Sequence, residues 1–364
     1  MTELIWANFR ARPVRTLLSV SAVAIQVFLL LFMMGLINGL IREWRERVQG
    51  IGADILVQRP NASPFFAIEP VTLPSRMVRD IRRIPGVRVV SPAIAIPNNR
   101  GISVIYAVDF ETFNQIGDGF RFLEGRPFED DFDVIIDDVK ARDNDLQIGD
   151  AVKLLDQQWR VSGIVERGRG ARFFVPLRTT QRMLDVEGTV SMFWVETEEP
   201  GLMDEVREDI LQLMPRHTVR RMDEFLSLLM PSKMPLVQPF TNAIVIIGVL
   251  ITFMVVLLSM YTIVLERTRE IGILKSLGAS RWDVVSLMVR EAMLIGVLGI
   301  LVGVAASYGF REIFLASRPT MAVDITLEWI FQSSVLALLG CTLGSLYPAL
   351  RASAMEAIDA LGYN

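Results

Sequence analysis

The sequence predicts an α-helical membrane protein with four transmembrane helices, both termini in the cytoplasm, and a large mixed α/β extracytoplasmic domain between the first and second helices. Three observations carry this. Stretches 16–41, 234–265, 292–310 and 329–350 contain no charged residue, and a bilayer asks for about 20 apolar residues per helix. Basic residues are shared unequally among the short segments that flank these stretches. The polar block between the first and second stretches alternates strand-like and helix-like patterns. In all, 51% of the 364 residues are hydrophobic and 21% are charged, against about 25% charge in an ordinary soluble domain.

Residues 1–41 read as an amphipathic juxtamembrane lead-in and the first span. Arg10, Arg12 and Arg15 precede the apolar run, as in a signal peptide. The run is longer than the roughly 7–15 residues of a cleavable apolar region, and no cleavage site follows, so it is expected to remain as an anchor. Orientation follows from Lys and Arg in the short loops. The N-terminus has Arg10, Arg12 and Arg15; the loop after span two has Arg267, Arg269, Lys275, Arg281 and Arg290; the C-terminus has Arg351. Only Arg311 and Arg318 lie between spans three and four. This puts both termini and loop 266–291 in the cytoplasm.

Residues 42–236 then form the periplasmic or extracytoplasmic domain, expected as two lobes. ADILVQR (53–59), GISVIYAVDF (101–110), AVKLL (151–155) and WRVSGIVE (159–166) are rich in β-branched residues and read as strands. SRMVRDIRRIPG (75–86) and GLMDEVREDILQLMP (201–215) have helical spacing. ERGRGARFF (166–174) reads as a hairpin turn. MPSKMPLVQPF (230–240) leads back to the membrane, and 237–364 holds spans two to four, a cytoplasmic coupling helix and the tail. Glycines four apart recur in three spans, as Gly35/Gly39, Gly299/Gly303 and Gly340/Gly344. Such pairs let helix backbones approach closely in lipid, either within one four-helix bundle or, for one pair, at a dimer interface.

Several functions are disfavoured. No span carries an ionisable group near its centre, whereas proton- and ion-coupled transporters need one there. His217 is the only histidine, so a His-based zinc site or a Ser-His-Asp triad has one candidate and no cluster around it in the sequence, and a surface or core histidine is expected. Cys341, the lone cysteine, lies inside the fourth span and forms no disulfide framework. EDDFD (129–133) and DDVKARDND (137–145) lack Ca²⁺-loop spacing and read as solvated turns. GILKS (272–276) lacks the glycine before lysine that a phosphate loop needs. No basic cluster suits nucleic acid. No catalytic residue and no metal ligand is expected.

The informative stretch is ERTREIGILKSLGAS (266–280), set against the end of the second span. Helix formers run from Glu266 to Leu277, Gly278 is placed to end the helix, and Ser280 with Asp283 matches the capping box of the next. Ile271, Leu274 and Leu277 recur at i, i+3 and i+6, with Arg267, Arg269, Glu270 and Lys275 around them. An interfacial helix on membrane lipid explains the basic residues but not Glu266 and Glu270 beside them. Mixed charge around small apolar anchors suits a protein partner.

This stretch resembles the cytoplasmic coupling segment of FtsX-like, MacB-type ABC transporter permeases. NFRARPVRTLLSVSAVAI (8–25) is similar to the opening of that family and YPALRASAMEAIDALGY (347–363) to its close; IPGVRVVSP (84–92) and LEGRPF…LQIGD (123–150) look like phrases of its outer domain. Gln26 follows Ile25 where the family commonly has glycine, and Ala357 stands where it usually has proline. The resemblance implies a permease subunit without its own nucleotide-binding domain. A separate cytoplasmic ABC ATPase would then hold ATP and magnesium, and this chain would bind no cofactor. It implies a second permease chain, as homodimer or heterodimer, with a periplasmic adaptor and an outer-membrane channel as further candidate partners. ATPase closure would push on the coupling helix and move the outer domain, driving export or extraction of a substrate by mechanotransmission. Ile271, Leu274 and Leu277 would anchor in an ATPase groove, Arg267, Glu270 and Lys275 would set register, and Gly278 would permit the turn. The alternatives are an FtsX-like regulator of a cell-wall hydrolase and a lipoprotein-releasing permease of the LolC/LolE kind, for which NASPFFAIEP (61–70), with Phe65 and Phe66, offers an apolar contact loop.

Overall fold

The computed structural model describes residues 13–60, 62, 71–98, 104–230, 237–266, 268–317 and 321–354. Most of the lead-in, the Phe65–Phe66 loop, Arg267 and the tail beyond 354 lie outside the described residues. Two compact units result, one from Met1–Gly39, Pro235–Ser317 and Met321–Asn364, the other chiefly Leu40–Met234.

Helix α1, Pro13–Gln49, is uninterrupted from the first apolar stretch into the second unit. Its Val48 and the following Ile51 are buried in that unit's core. Among the described residues, twelve strands and six short α-helices follow in this unit. In chain order they are β1 (Ile55–Gln58), β2 (Leu73–Pro74), α2 (Met77–Ile81), β3 (Val87–Pro97), β4 (Val104–Val108), α3 (Phe110–Asn114), β5 (Phe122–Gly125), β6 (Asp133–Asp137), α4 (Asp138–Asp143), β7 (Ala151–Leu154), β8 (Gln157–Val165), β9 (Phe173–Pro176), α5 (Leu177–Met183), β10 (Thr189–Val190), β11 (Met192–Thr197), α6 (Met203–Leu213), β12 (Thr218–Arg221) and α7 (Met222–Leu228).

One ten-stranded sheet runs β12-β1-β11-β3-β4-β9-β6-β8-β5, with β7 on β8; β2 and β10 pair separately. Alternation decides which face each side chain joins. Ile55, Val57, Ile105, Ala107, Val134, Ile136, Phe193 and Val195 enter one core, with Ile81 of α2 and Val206 and Ile210 of α6. Their neighbours Leu56, Tyr106, Val108, Ile135, Met192 and Trp194 enter the other, with Phe113 of α3 and Phe225 of α7. A fully buried side chain of this kind contributes about 1.5–3 kcal/mol, so both faces are closed by large apolar terms.

Three expectations are corrected here. ERGRGARFF is no hairpin, because β6 lies between β8 and β9, parallel to the first and antiparallel to the second. The acidic turns are not simply solvated. Asp133 and Asp137 are buried; Asp133 accepts the N–H groups of Glu129 (3.0 Å) and Asp130 (3.1 Å), and Arg160 at 3.0 Å. The helix expected over 75–86 is also short, because Pro85 and Gly86, at φ +83°, turn the chain into β3.

The first unit contains the long helices α8 (Val237–Glu266), α10 (Arg281–Ser317) and α11 (Leu327–Ala354), the short α9 (Thr268–Ser276), and the first part of α1. Including α1, four helices are long and apolar enough to cross a membrane. All three glycine pairs face other segments of the same chain. A Cβ on Gly299 would lie 2.5 Å from that of Val23, and one on Gly303 would lie 2.7 Å from the Ala24 carbonyl oxygen. Gly340 faces Thr252, Gly344 faces the Phe253 carbonyl, and Gly35 and Gly39 lie against the segment Ala322–Ile325. Polar contacts also join the helices of this unit: Ser19 donates to Ser259 at 2.7 Å, and Thr252 donates to Oε1 of Gln26. Gly248 leaves the space that the Gln26 side chain fills.

Candidate functional site

The site is the α8–α9–α10 corner. α8 ends at Glu266 and α9 runs Thr268–Ser276. The end of α9 is a two-bond cap: the Gly278 N–H donates to the Lys275 carbonyl and the Ala279 N–H to that of Leu274, both at 3.0 Å. Gly278 has φ +98°. An added Cβ would meet nothing within 4 Å there, so backbone conformation alone demands glycine. Ser280 opens α10. Its N–H donates to the Asp283 carboxylate at 2.8 Å, and the Asp283 N–H donates back to the Ser280 hydroxyl at 3.2 Å. Two caps therefore meet across the turn, and both follow from residue type.

The side chains divide differently from the sequence expectation. Ile271, expected as an anchor, is only 8% exposed and packs in the core of the unit with Met260, Val264, Val285 and Ala349. It cannot enter a groove on a partner. Leu274 is 36% exposed and Leu277 80%. The rise has a simple cause. At 3.6 residues per turn, a step of three falls about 60° short of a full rotation, so an i, i+3, i+6 row swings from the bundle towards solvent. Lys275 is committed internally as well, its Nζ donating to the Ser353 carbonyl at 2.6 Å, near the end of α11. A cation there also suits the helix dipole.

Glu266 and Glu270 are exposed; Arg267 is outside the described residues, and of Arg269 only the backbone is described. The structure adds two residues missing from the expected set. Ile273 is exposed on α9, and Trp282, 75% exposed, stands in the first turn of α10. Trp282 was legible in principle, as a large aromatic inside a capping box, where it cannot face the helix it starts. The exposed set Ile273, Leu274, Leu277 and Trp282 is an apolar patch beside acidic Glu270, with no nucleophile or base among them. Among the described residues no group of His, Cys, Asp or Glu is placed to hold a metal ion. The patch can bind; it offers no chemistry.

Comparison with known proteins assigns the chain. Residues 242–357 match the FtsX-like permease C-terminal family model and residues 16–213 the MacB-like periplasmic core domain. An uncharacterized ABC transporter permease of Methanocaldococcus jannaschii is 22% identical, covering 91% of this chain and 88% of that one. A macrolide export ATP-binding/permease protein MacB of Chlorobium phaeobacteroides is 24% identical over 97% of this chain, which spans only 59% of that relative. The periplasmic region of MacB from Actinobacillus actinomycetemcomitans covers 50% of this chain at 15% identity and a TM-score of 0.38; the family matches, not this likeness, carry the assignment.

Proposed function

The chain belongs to the FtsX-like, MacB-type ABC transporter permeases, and we propose that it is the membrane subunit of an ATP-driven exporter, moved by an ABC ATPase on a separate chain. The basic residues flanking the apolar stretches support a cytoplasmic-membrane topology with both termini and α9 in the cytosol and the outer domain beyond. ATP and magnesium belong to the ATPase. A second permease chain, identical or not, completes the assembly, and relatives named for macrolide export favour outward work on a substrate. ATPase closure pushes α9, and the long helices carry the movement to the outer domain by mechanotransmission.

One observation supports this reading above the others: Leu274, Leu277 and Trp282 are held outward on a helix corner fixed by two caps and by the buried Ile271. An apolar patch without reactive groups, rigidly presented, suits a partner that delivers force. Leu277→Asp places a charge on the most exposed anchor without touching the core. Co-expressed with an ABC ATPase that the wild type captures, the variant is expected to lose ATPase capture and stimulated hydrolysis while its melting temperature is kept. Capture and stimulation equal to the wild type would remove α9 from the contact.

A further inference from the structure

Segment 166–172 contributes nothing to the α9 corner, yet it buries two arginines, both aimed at the outer end of α1. Arg169 donates to four backbone carbonyls, to Ile51 at 2.8 Å and Gly50 at 3.3 Å just past α1, and to Phe113 at 3.0 Å and Ile116 at 3.1 Å around α3. Its guanidinium lies over the rings of Phe113 and Phe120, 5.2 and 5.5 Å from their centres. Arg172 donates to Asp137, at the end of β6, at 2.9 Å and pairs with Glu43 of α1. Arg47, one turn along α1, lies 3.9 Å from the same carboxylate.

Glycines let the backbones meet. A Cβ on Gly50 would sit 2.1 Å from the Gly168 carbonyl oxygen, one on Gly52 2.7 Å from the Gly117 Cα, and one on Gly170 2.6 Å from the Tyr106 ring. The outer end of α1 is thus seated in a socket made by loops 113–119 and 166–172.

Stability alone does not call for this arrangement. Burial is the main influence on Arg169 and pulls its pKa down to about 10, and buried ionic groups are often replaced by apolar side chains without loss. What these contacts provide is direction. Glu43 and Gly50 are about 10 Å apart along a helix axis. One attachment would leave α1 free to pivot, whereas two at that separation fix its angle to the sheet.

We propose that Arg169 and Arg172 form the joint that locks the outer end of α1 to the outer sheet, so that movement of the first membrane-capable helix reaches that domain without a hinge. Both are positioning residues. The proposal rests on the mechanotransmission reading and adds which helix delivers the force and where.

The test uses the full chain in nanodiscs with its ATPase, with buried Cys341 replaced by alanine and spin labels placed in pairs. Labels at Arg42 and Gln158 report the angle of α1 to the sheet; labels at Arg281 and Gln158 report nucleotide-driven displacement of the outer domain. Glu43→Gln keeps the Arg172–Asp137 pair and with it the fold; Arg169→Met removes the other attachment. The wild type is expected to give one narrow Arg42–Gln158 distance with and without ATP, and an ATP-dependent Arg281–Gln158 shift. Each variant is expected to broaden the first, lose the second, and still hydrolyse ATP. A narrow first distance in both variants, or an undiminished shift despite broadening, overturns the joint. A wild type that hydrolyses ATP with no shift at all overturns mechanotransmission itself, and the joint with it.

Discussion

Adding one methyl group at Gly299 tests whether the glycine pairs hold the bundle together internally. The new Cβ would lie 2.5 Å from the Val23 Cβ and 2.6 Å from its Cγ1, about 1 Å inside the roughly 3.5–4.0 Å at which carbons rest. Rotating Val23 cannot relieve a clash with its own Cβ, so α1 and α10 must separate. Overpacking of this kind costs about 1–3 kcal/mol, and lipid adds no hydrophobic pressure to restore the contact. Gly299→Ala should lower the melting temperature in detergent by about 2–4 °C per kcal/mol. Val23→Gly, which removes the opposing Cβ, should recover most of that loss. Gly303→Ala should behave differently, because its nearest neighbour is the Ala24 carbonyl oxygen at 2.7 Å, which no side-chain change removes; Val27→Gly should leave it unrescued. Were Gly299→Ala to leave the melting temperature unchanged and instead split a dimer on size exclusion, the glycines would pack between copies and the internal reading would be wrong.

Three further outcomes follow from the same packing and hydrogen bonding. The Gln26 amide nitrogen is buried without a partner, so Gln26→Met should hold or raise thermal stability, while Thr252→Val, which also strips Oε1 of its donor, should lower it by about 1–2 kcal/mol; the reverse order would mean that the amide is satisfied. Gly278→Ala forces a side chain into the left-handed region and should cost about 1–2 kcal/mol, seen as a lower melting temperature with α9 contacts otherwise intact; an unchanged value would argue against the cap. Below about pH 4 the outer domain should lose stability. Burial pushes the Asp133 carboxyl up, but the N–H groups of Glu129 and Asp130 and the Arg160 guanidinium together hold it below its ordinary value. Arg182 and Arg221 hold Asp131 and Asp223 low. Such carboxylates stabilise fully above their unfolded pKa and lose that contribution as pH falls through the folded one. Asp137, raised by burial, has the opposite sign and offsets part of it. Fluorescence of the buried Trp159 and Trp194 reads the transition, and unfolding already complete near pH 6 would contradict the assignment.

Local chemistry made parts of this molecule readable in advance. The long apolar stretches became the membrane-capable helices, and the Gly278 and Ser280–Asp283 caps appeared where residue type put them, because each depends on neighbours in sequence. Strands β1, β4, β7 and β8 were legible from β-branched runs. β3, β6, β9 and β11 were not. Both of their faces are buried, so alternation disappears, and Pro92 inside β3 argues against a strand. The joint around α1 was invisible for another reason. Arg169 and Arg172 look like any basic loop residues until β6 is inserted between β8 and β9, and that pairing is non-local. Ile271 failed on geometry, since a row of every third residue leaves the face it starts on.

A transmission path must be stiff where force enters and leaves, and on the proposed reading this chain meets that condition at both places by different means. At the α9 corner stiffness is local: two caps share the turn from Leu277 to Ser280, and Ile271 and Lys275 fasten the helix to the bundle. At the outer end stiffness is tertiary, from two arginines and the glycines that admit them. Compliance is then left to the packing among the long helices, which meet through glycines and through hydrogen bonds such as Ser19–Ser259 and Gln26–Thr252. Contacts of that kind are weak in lipid, about 0.6–2 kcal/mol per hydrogen bond, and they can slide at low cost.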